Sequence, residues 1–219
     1  MKKLLLLAVC LTLLSSGCGK VSKSPLAPFI NPSVYNNFDG SLNGWGFCYA
    51  KYDGTGYSTA ASMPASLLGI DMVSYSTAHI FGGATGAAKI NVSLGAVGDS
   101  FDSGITYSAA TDVGFEGKVL SAWVYWDTGL SNSSGKVIAK FYGKFTDNFS
   151  YESGSDTTLV QGRWVQVTWP VEQHTPDTNF PTQASYEAAL SQCREWGIEI
   201  YGATGPFSPG VLYLDQVAF

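Results

Sequence analysis

From Asn36 to Phe219 the chain repeats one pattern: short runs rich in Val, Ile, Thr, Tyr and Phe, separated by clusters of Gly, Asn, Asp and Ser. Such a pattern belongs to a β-sandwich or barrel. The clearest runs are Ala88 to Leu94, Val119 to Asp127, Lys136 to Phe145, Arg163 to Val171, Gly197 to Gly202 and Val211 to Phe219, each of strand length. Helical spacing is sustained in one place. Between Ser185 and Trp196, Tyr186, Ala189, Leu190 and Cys193 fall at i, i+3, i+4 and i+7, which predicts one short helix near 185–196.

Successive side chains of a strand point to opposite faces, so alternation within each run sorts inward from outward positions. In 119-VLSAWVYWD-127 the set Leu120, Ala122, Val124 and Trp126 is apolar, and the opposite set is Ser121, Trp123, Tyr125 and Asp127. Val137, Ala139 and Phe141 oppose Lys140, Tyr142 and Lys144; Val165, Val167 and Trp169 oppose Trp164, Gln166 and Thr168; Ile198 and Ile200 oppose Glu199 and Tyr201. One side suits a core. The other carries Trp and Tyr beside hydrogen-bonding groups, where a solvated face would carry Thr, Lys, Glu and Ser.

Sugar binding is one reason for such a face, because a pyranose has an apolar C–H side for an aromatic ring and a rim of hydroxyls for polar groups. Cross-strand aromatic packing is the other. On the first reading the ligand-binding face comprises Trp123, Tyr125, Tyr142, Gln166, Glu199 and Tyr201. Which of two sheets would present it is open at this stage.

Composition narrows the partners. The chain has 219 residues, 45% hydrophobic and only 13% charged, with a net charge of −5. That excludes disorder and argues against nucleic acid, whose binding needs clustered Lys and Arg. Residues 1–17 join a basic start, Lys2-Lys3, to an apolar run from Leu4 to Leu14, too short to span a bilayer and of the form of an export leader. The segment ends at Cys18 and resembles a bacterial lipoprotein signal, with Cys18 the residue lipidated, although Ser15 stands where such signals usually carry Leu. The Pro-containing stretch 18–35 reads as a tether and 36–219 as one domain. Export permits a disulfide, and Cys48 and Cys193 either form one or remain two buried thiols.

Several stretches in order resemble the carbohydrate-binding modules of galactose-binding-like jelly-roll fold: 37-NFDGSLNGW-45, 118-KVLSAWVYWDTG-129, 162-GRWVQVTWPV-171, 196-WGIEIYG-202 and the closing 211-VLYLDQVAF-219. The resemblance implies an all-β jelly-roll sandwich that binds polysaccharide at the cell surface without cleaving it. It also implies a structural calcium ion at Asp39 and Asp215, completed by further oxygens to the six to eight that calcium takes. A jelly-roll glycoside hydrolase or polysaccharide lyase is the alternative, and a protein-interaction surface is a third. The only suggestive carboxylate pair for hydrolysis is Glu195 and Glu199; Lys140 and Lys144 are the nearest cations for a lyase. Neither His79 nor His174 adjoins a nucleophile turn, and the Gly-rich runs 80-IFGGATGAA-88 and 128-TGLSNSSG-135 lack a phosphate-binding Lys and read as turns.

Overall fold

The computed structural model describes residues 35–52, 57–58, 73–92, 100–130, 136–145, 151–171, 180–202 and 209–219. The leader, Cys18 and the tether up to residue 34 lie outside the described residues, as does His174; Tyr35, the last tether position by sequence, already belongs to a strand. Thirteen strands are described: β1 Tyr35–Asn36, β2 Trp45–Tyr52, β3 Tyr57–Ser58, β4 Val73–Ser76, β5 Ala87–Val92, β6 Ser100–Val113, β7 Val119–Thr128, β8 Val137–Phe145, β9 Tyr151–Ser153, β10 Thr157–Thr158, β11 Trp164–Pro170, β12 Cys193–Gly202 and β13 Gly210–Ala218. Helix α1, Gln183–Ala189, precedes β12.

The strands form a jelly-roll β-sandwich. The first sheet has the order β11-β7-β13-β5-β4, with β1 also on β13; the second has β10-β8-β12-β6-β2-β3, with β9 also on β8. All strand pairings described are antiparallel. The inward sets read from alternation meet between the sheets: Leu120, Ala122 and Val124 from the first, Val137, Ala139, Phe141, Ile198 and Ile200 from the second, all buried. Burying each large apolar side chain contributes about 1.5–3 kcal/mol. Trp126 and Val165 are only partly buried and pack on the core margin, where the Trp126 indole N–H donates to the Gly129 carbonyl at 3.0 Å.

One expectation needs correction, and one open alternative is decided. The helix predicted over 185–196 is shorter: α1 ends at Ala189, a 3₁₀ turn spans Leu190–Gln192, and Cys193 to Trp196 start β12. Tyr186, Ala189, Leu190 and Cys193 are all buried, so the apolar positions were correctly read but serve both a helix and a strand. A Thr182–Ser185 capping box starts α1, and the Tyr186 hydroxyl donates to the Val171 carbonyl to pin it.

Cys48 and Cys193 do not form a bridge. Cys193 carries a buried thiol that donates to the Glu195 carbonyl at 3.3 Å. β6 separates β2 from β12, and Cys48 aligns through Gly104 with Glu199, six residues along β12 from Cys193. Two strand spacings of about 4.8 Å and a run of about 20 Å far exceed the Cα separation of about 7 Å that a disulfide tolerates. The side chain of Cys48 lies outside the described residues.

Candidate functional site

The six residues expected on one face occupy two. Trp123 and Tyr125 on β7 and Gln166 on β11 belong to the first sheet, whereas Tyr142 on β8 and Glu199 and Tyr201 on β12 belong to the second. Outer faces of a sandwich point away from each other, so no single ligand surface joins these two groups. Period-2 alternation reports that a side chain faces outward and carries no information on which sheet's outward side it occupies.

On the second sheet the register sets Glu199 between Gly104 of β6 and Lys140 of β8, and Gly197 between Thr106 and Tyr142. On β2, Gly46 aligns through Thr106 of β6 with the same Gly197. A Cβ at Gly197 would lie 2.1 Å from the Ile105 carbonyl oxygen and 2.9 Å from the Tyr142 ring, so only glycine allows β6 and that ring to come so close. Tyr142 and Glu199 are outward by register, yet only 3% and 8% exposed; they lie recessed. The Lys140 ammonium is 3.5 Å from Glu199 Oε2 and 4.9 Å from the centre of the half-buried Tyr201 ring. Glu199 Oε2 is buried and, among the described residues, accepts no hydrogen bond. Its nearby cation supplies charge without a well-placed donor, and a buried carboxylate oxygen left so costs free energy.

The outer face of the first sheet is built differently. The chain between β4 and β5, residues 77–86, crosses it as a strap. His79 stacks on Tyr125 at 4.3 Å and 20°, and Phe81 stacks on Trp123 at 4.0 Å and 22°. Trp123 and Tyr125, read from the sequence as solvent-facing, are therefore half covered by the protein itself. At the strap's tip Gly82 and Gly83 have φ of 61° and 86°, and the Ala84 N–H donates to the Phe81 carbonyl across them at 3.3 Å. Both central residues at positive φ make this a primed turn, which Gly-Gly enters without steric cost. The Gly-rich run that read as a turn is thus also what folds aromatics onto the sheet.

The strap is tied where Asp39 and Asp215 converge. The Phe81 N–H donates to Asp215 Oδ2 at 2.9 Å, and the Gln216 side chain donates to the Phe81 carbonyl at 3.1 Å. Gln216 stands at positive φ in a bulge of β13 against β7, which re-aims its side chain at the strap. Thr85 donates to Asp39 Oδ1 from its N–H at 2.7 Å and its hydroxyl at 2.5 Å, while the Asn37 amide donates to Asp39 Oδ2. The Thr85 hydroxyl and then its N–H hold Asp39 below the usual carboxylate range. Burial, offset in part by the Phe81 and Gln216 amides and reinforced by the Asp39 charge, pushes Asp215 up to about 6.

These two carboxylates are the expected calcium ligands. Their oxygens already accept hydrogen bonds from the strap, from Asn37 and from the Gln216 N–H. Among the described residues no group of three His, Cys, Asp or Glu could hold a metal. A calcium ion held by these two carboxylates would therefore have to draw its remaining oxygens, up to six to eight, from backbone carbonyls and neutral side chains.

Sequence reasoning missed His79 and Phe81 as members of these faces, and read Lys140 as outward without assigning it to the ligand site. For the two strap residues the available signal was an aromatic next to Gly-Gly between two strands, and nothing local says which surface it covers.

A β-sandwich with aromatic and carboxylate groups on both outer faces is the class that fold and site define. Structural comparison agrees on the fold. A structure from work on the promiscuous specificity of carbohydrate-binding modules of the β-sandwich superfamily shares 14% identity at a TM-score of 0.54, over 86% of this chain and 61% of that one. The chain thus spans about three fifths of that relative's length. The Caldicellulosiruptor saccharolyticus CBM27-1 module in complex with mannohexaose shares 15% identity at a TM-score of 0.52, over 86% of this chain and 96% of that one. These neighbours are carbohydrate-binding modules of β-sandwich type. No protein-family model and no curated protein sequence matches the chain.

Proposed function

We propose that the protein is a non-catalytic polysaccharide-binding module whose ligand lies on the outer face of the second sheet. One observation carries the reading: Glu199 Oε2 is a buried carboxylate oxygen, outward on its sheet, that accepts no hydrogen bond among the described residues and stands beside Lys140, whose ammonium also lies over the Tyr201 ring. Sugar hydroxyls are donors that would satisfy it, and the half-buried Tyr201 ring offers apolar surface to a pyranose. The fold shared with carbohydrate-binding modules supports the reading.

Hydrolysis by Glu195 and Glu199 is disfavoured by spacing. Both lie on β12 four residues apart, about 14 Å along an extended strand, beyond the roughly 5–9.5 Å that glycoside hydrolysis uses. In this reading the module is exported and lipid-anchored at Cys18, which its basic and apolar leader supports. Calcium at the strap corner is part of the same proposal, supported by the convergence of Asp39 and Asp215.

The test is calorimetric titration of the protein and of Glu199→Gln with manno-, xylo- and cello-hexaose and a mixed-linkage tetrasaccharide. A hydrogen bond to a charged group contributes about 1.5–3 kcal/mol, so the variant should bind about 10- to 100-fold more weakly with an unchanged melting curve. Equal affinity in the variant would reject this face.

A further inference from the structure

We propose that the first sheet carries a second carbohydrate site, centred on Trp164, His79 and Asp127, so that one module holds two glycan chains on opposite sides. This rests on the reading of the second sheet as a glycan-binding face. Of the first-sheet aromatics, Trp123 and Tyr125 have ring faces covered by the strap, in contacts tilted by only 22° and 20°. Trp164 differs. Its ring contacts with Tyr125 and Phe81 are both at 5.4 Å and tilted by 49° and 59°, and among the described contacts none stacks on it. It begins β11, the edge strand of its sheet, and is half-buried, so an aromatic face remains on offer at the sheet's open margin.

Beside it stands a polar pair. His79 Nε2 is 3.6 Å from Asp127 Oδ1, with side chains 35% and 29% exposed. Tyr125 pairs with Trp164 across the strands and Asp127 is two residues on along β7, placing it diagonally about 7–8 Å from Trp164. That is the reach of one sugar ring. An exposed pair of this kind contributes about 0–1 kcal/mol to stability, and its separation is longer than a hydrogen bond. The imidazole N–H and the carboxylate oxygens therefore retain capacity for a ligand: adjacent hydroxyls can donate to Asp127 and accept from His79 while the C–H side of the ring lies on Trp164. Sheets of a sandwich pack about 10 Å apart with outer faces opposed, so a single short oligosaccharide cannot touch both sites.

Titration with manno-, xylo- and cello-hexaose, together with turbidity on mixing with the matching long polysaccharide, tests this. The wild-type protein should bind two hexasaccharides and cross-link the polymer. Trp164→Ala and, as a milder change, Asp127→Asn should each remove one of the two binding events, weaken that event at least tenfold and abolish cross-linking. Trp164→Phe should preserve all three. A single binding event that both variants leave intact would overturn the second site and leave the second-sheet reading standing. Binding lost in Trp164→Ala and Asp127→Asn but untouched by Glu199→Gln would support the first-sheet site and overturn the second-sheet reading. Absence of binding to every glycan would overturn both.

Discussion

Alternation along β7 alone would make Trp123 a dispensable surface ring, whereas the structure makes it half of a packed pair with Phe81. The consequence can be measured with Phe81→Ala, Trp123→Ala and the double variant. Full burial makes a Phe→Ala change cost about 3–5 kcal/mol; Phe81 is half-buried, so about 2 kcal/mol is expected. With a urea slope of about 2 kcal/mol per M, the unfolding midpoint should fall by about 1 M. Trp123→Ala removes the same stacked contact and should cost a similar amount. Because a stacked aromatic pair contributes about 0.5–1.5 kcal/mol beyond its buried area, the double variant should be less destabilised than the sum of the singles by that amount. Urea unfolding followed by far-ultraviolet circular dichroism gives all four values. Strictly additive losses, with coupling below about 0.3 kcal/mol, would mean that the strap does not hold Phe81 against the sheet.

Three further outcomes are expected. Gly197→Ala should strongly destabilise the domain, because the added Cβ would meet the Ile105 carbonyl oxygen at 2.1 Å, and a thermal melt within two degrees of wild type would contradict the close approach of β6 and β12. In chelator, Asp215 should make stability fall as pH rises from about 4 to 6: its folded pKa of about 6 lies above the ordinary 3.8, so the folded state holds the proton over that window and the unfolded state does not. Excess calcium at pH 7 should then raise the melting temperature by mass action if it binds the folded form, and melting curves indifferent to calcium and chelator would remove the ion from the proposal. Changing Cys18 to Ala should move the protein from the membrane fraction to the soluble one, and unchanged attachment would exclude the anchor.

The fold was legible because its signals are local. Buried strands of a two-layer sandwich must alternate, and Leu120, Ala122, Val124, Val137, Ala139, Phe141, Ile198 and Ile200 do so visibly. All of them reach the core. β2 and β6 were not read as strands, because Gly46 and Gly104 interrupt the run of β-branched and aromatic residues that marks a strand. The end of α1 was misplaced because the helical spacing through Cys193 also suits the first residue of β12, and burial satisfies both.

Sequence alone determined an all-β domain with one short helix, the inward face of most strands, and a chemistry of outward Trp, Tyr, Gln and Glu. Only the tertiary structure decided how that chemistry is distributed. Strand order sends β7 and β11 to one sheet and β8 and β12 to the other, so Tyr142, Glu199 and Tyr201 share one outer face while Trp123, Tyr125 and Gln166 lie on the opposite side. The bulge at Gln216 and the carboxylates of Asp39 and Asp215 then anchor a loop whose aromatics cover two of those rings. Side-chain direction repeats every two residues and can be read along a strand. Strand order depends instead on hydrogen bonds between segments far apart in the chain, and its cost and gain appear only once the sheets have closed over a common core.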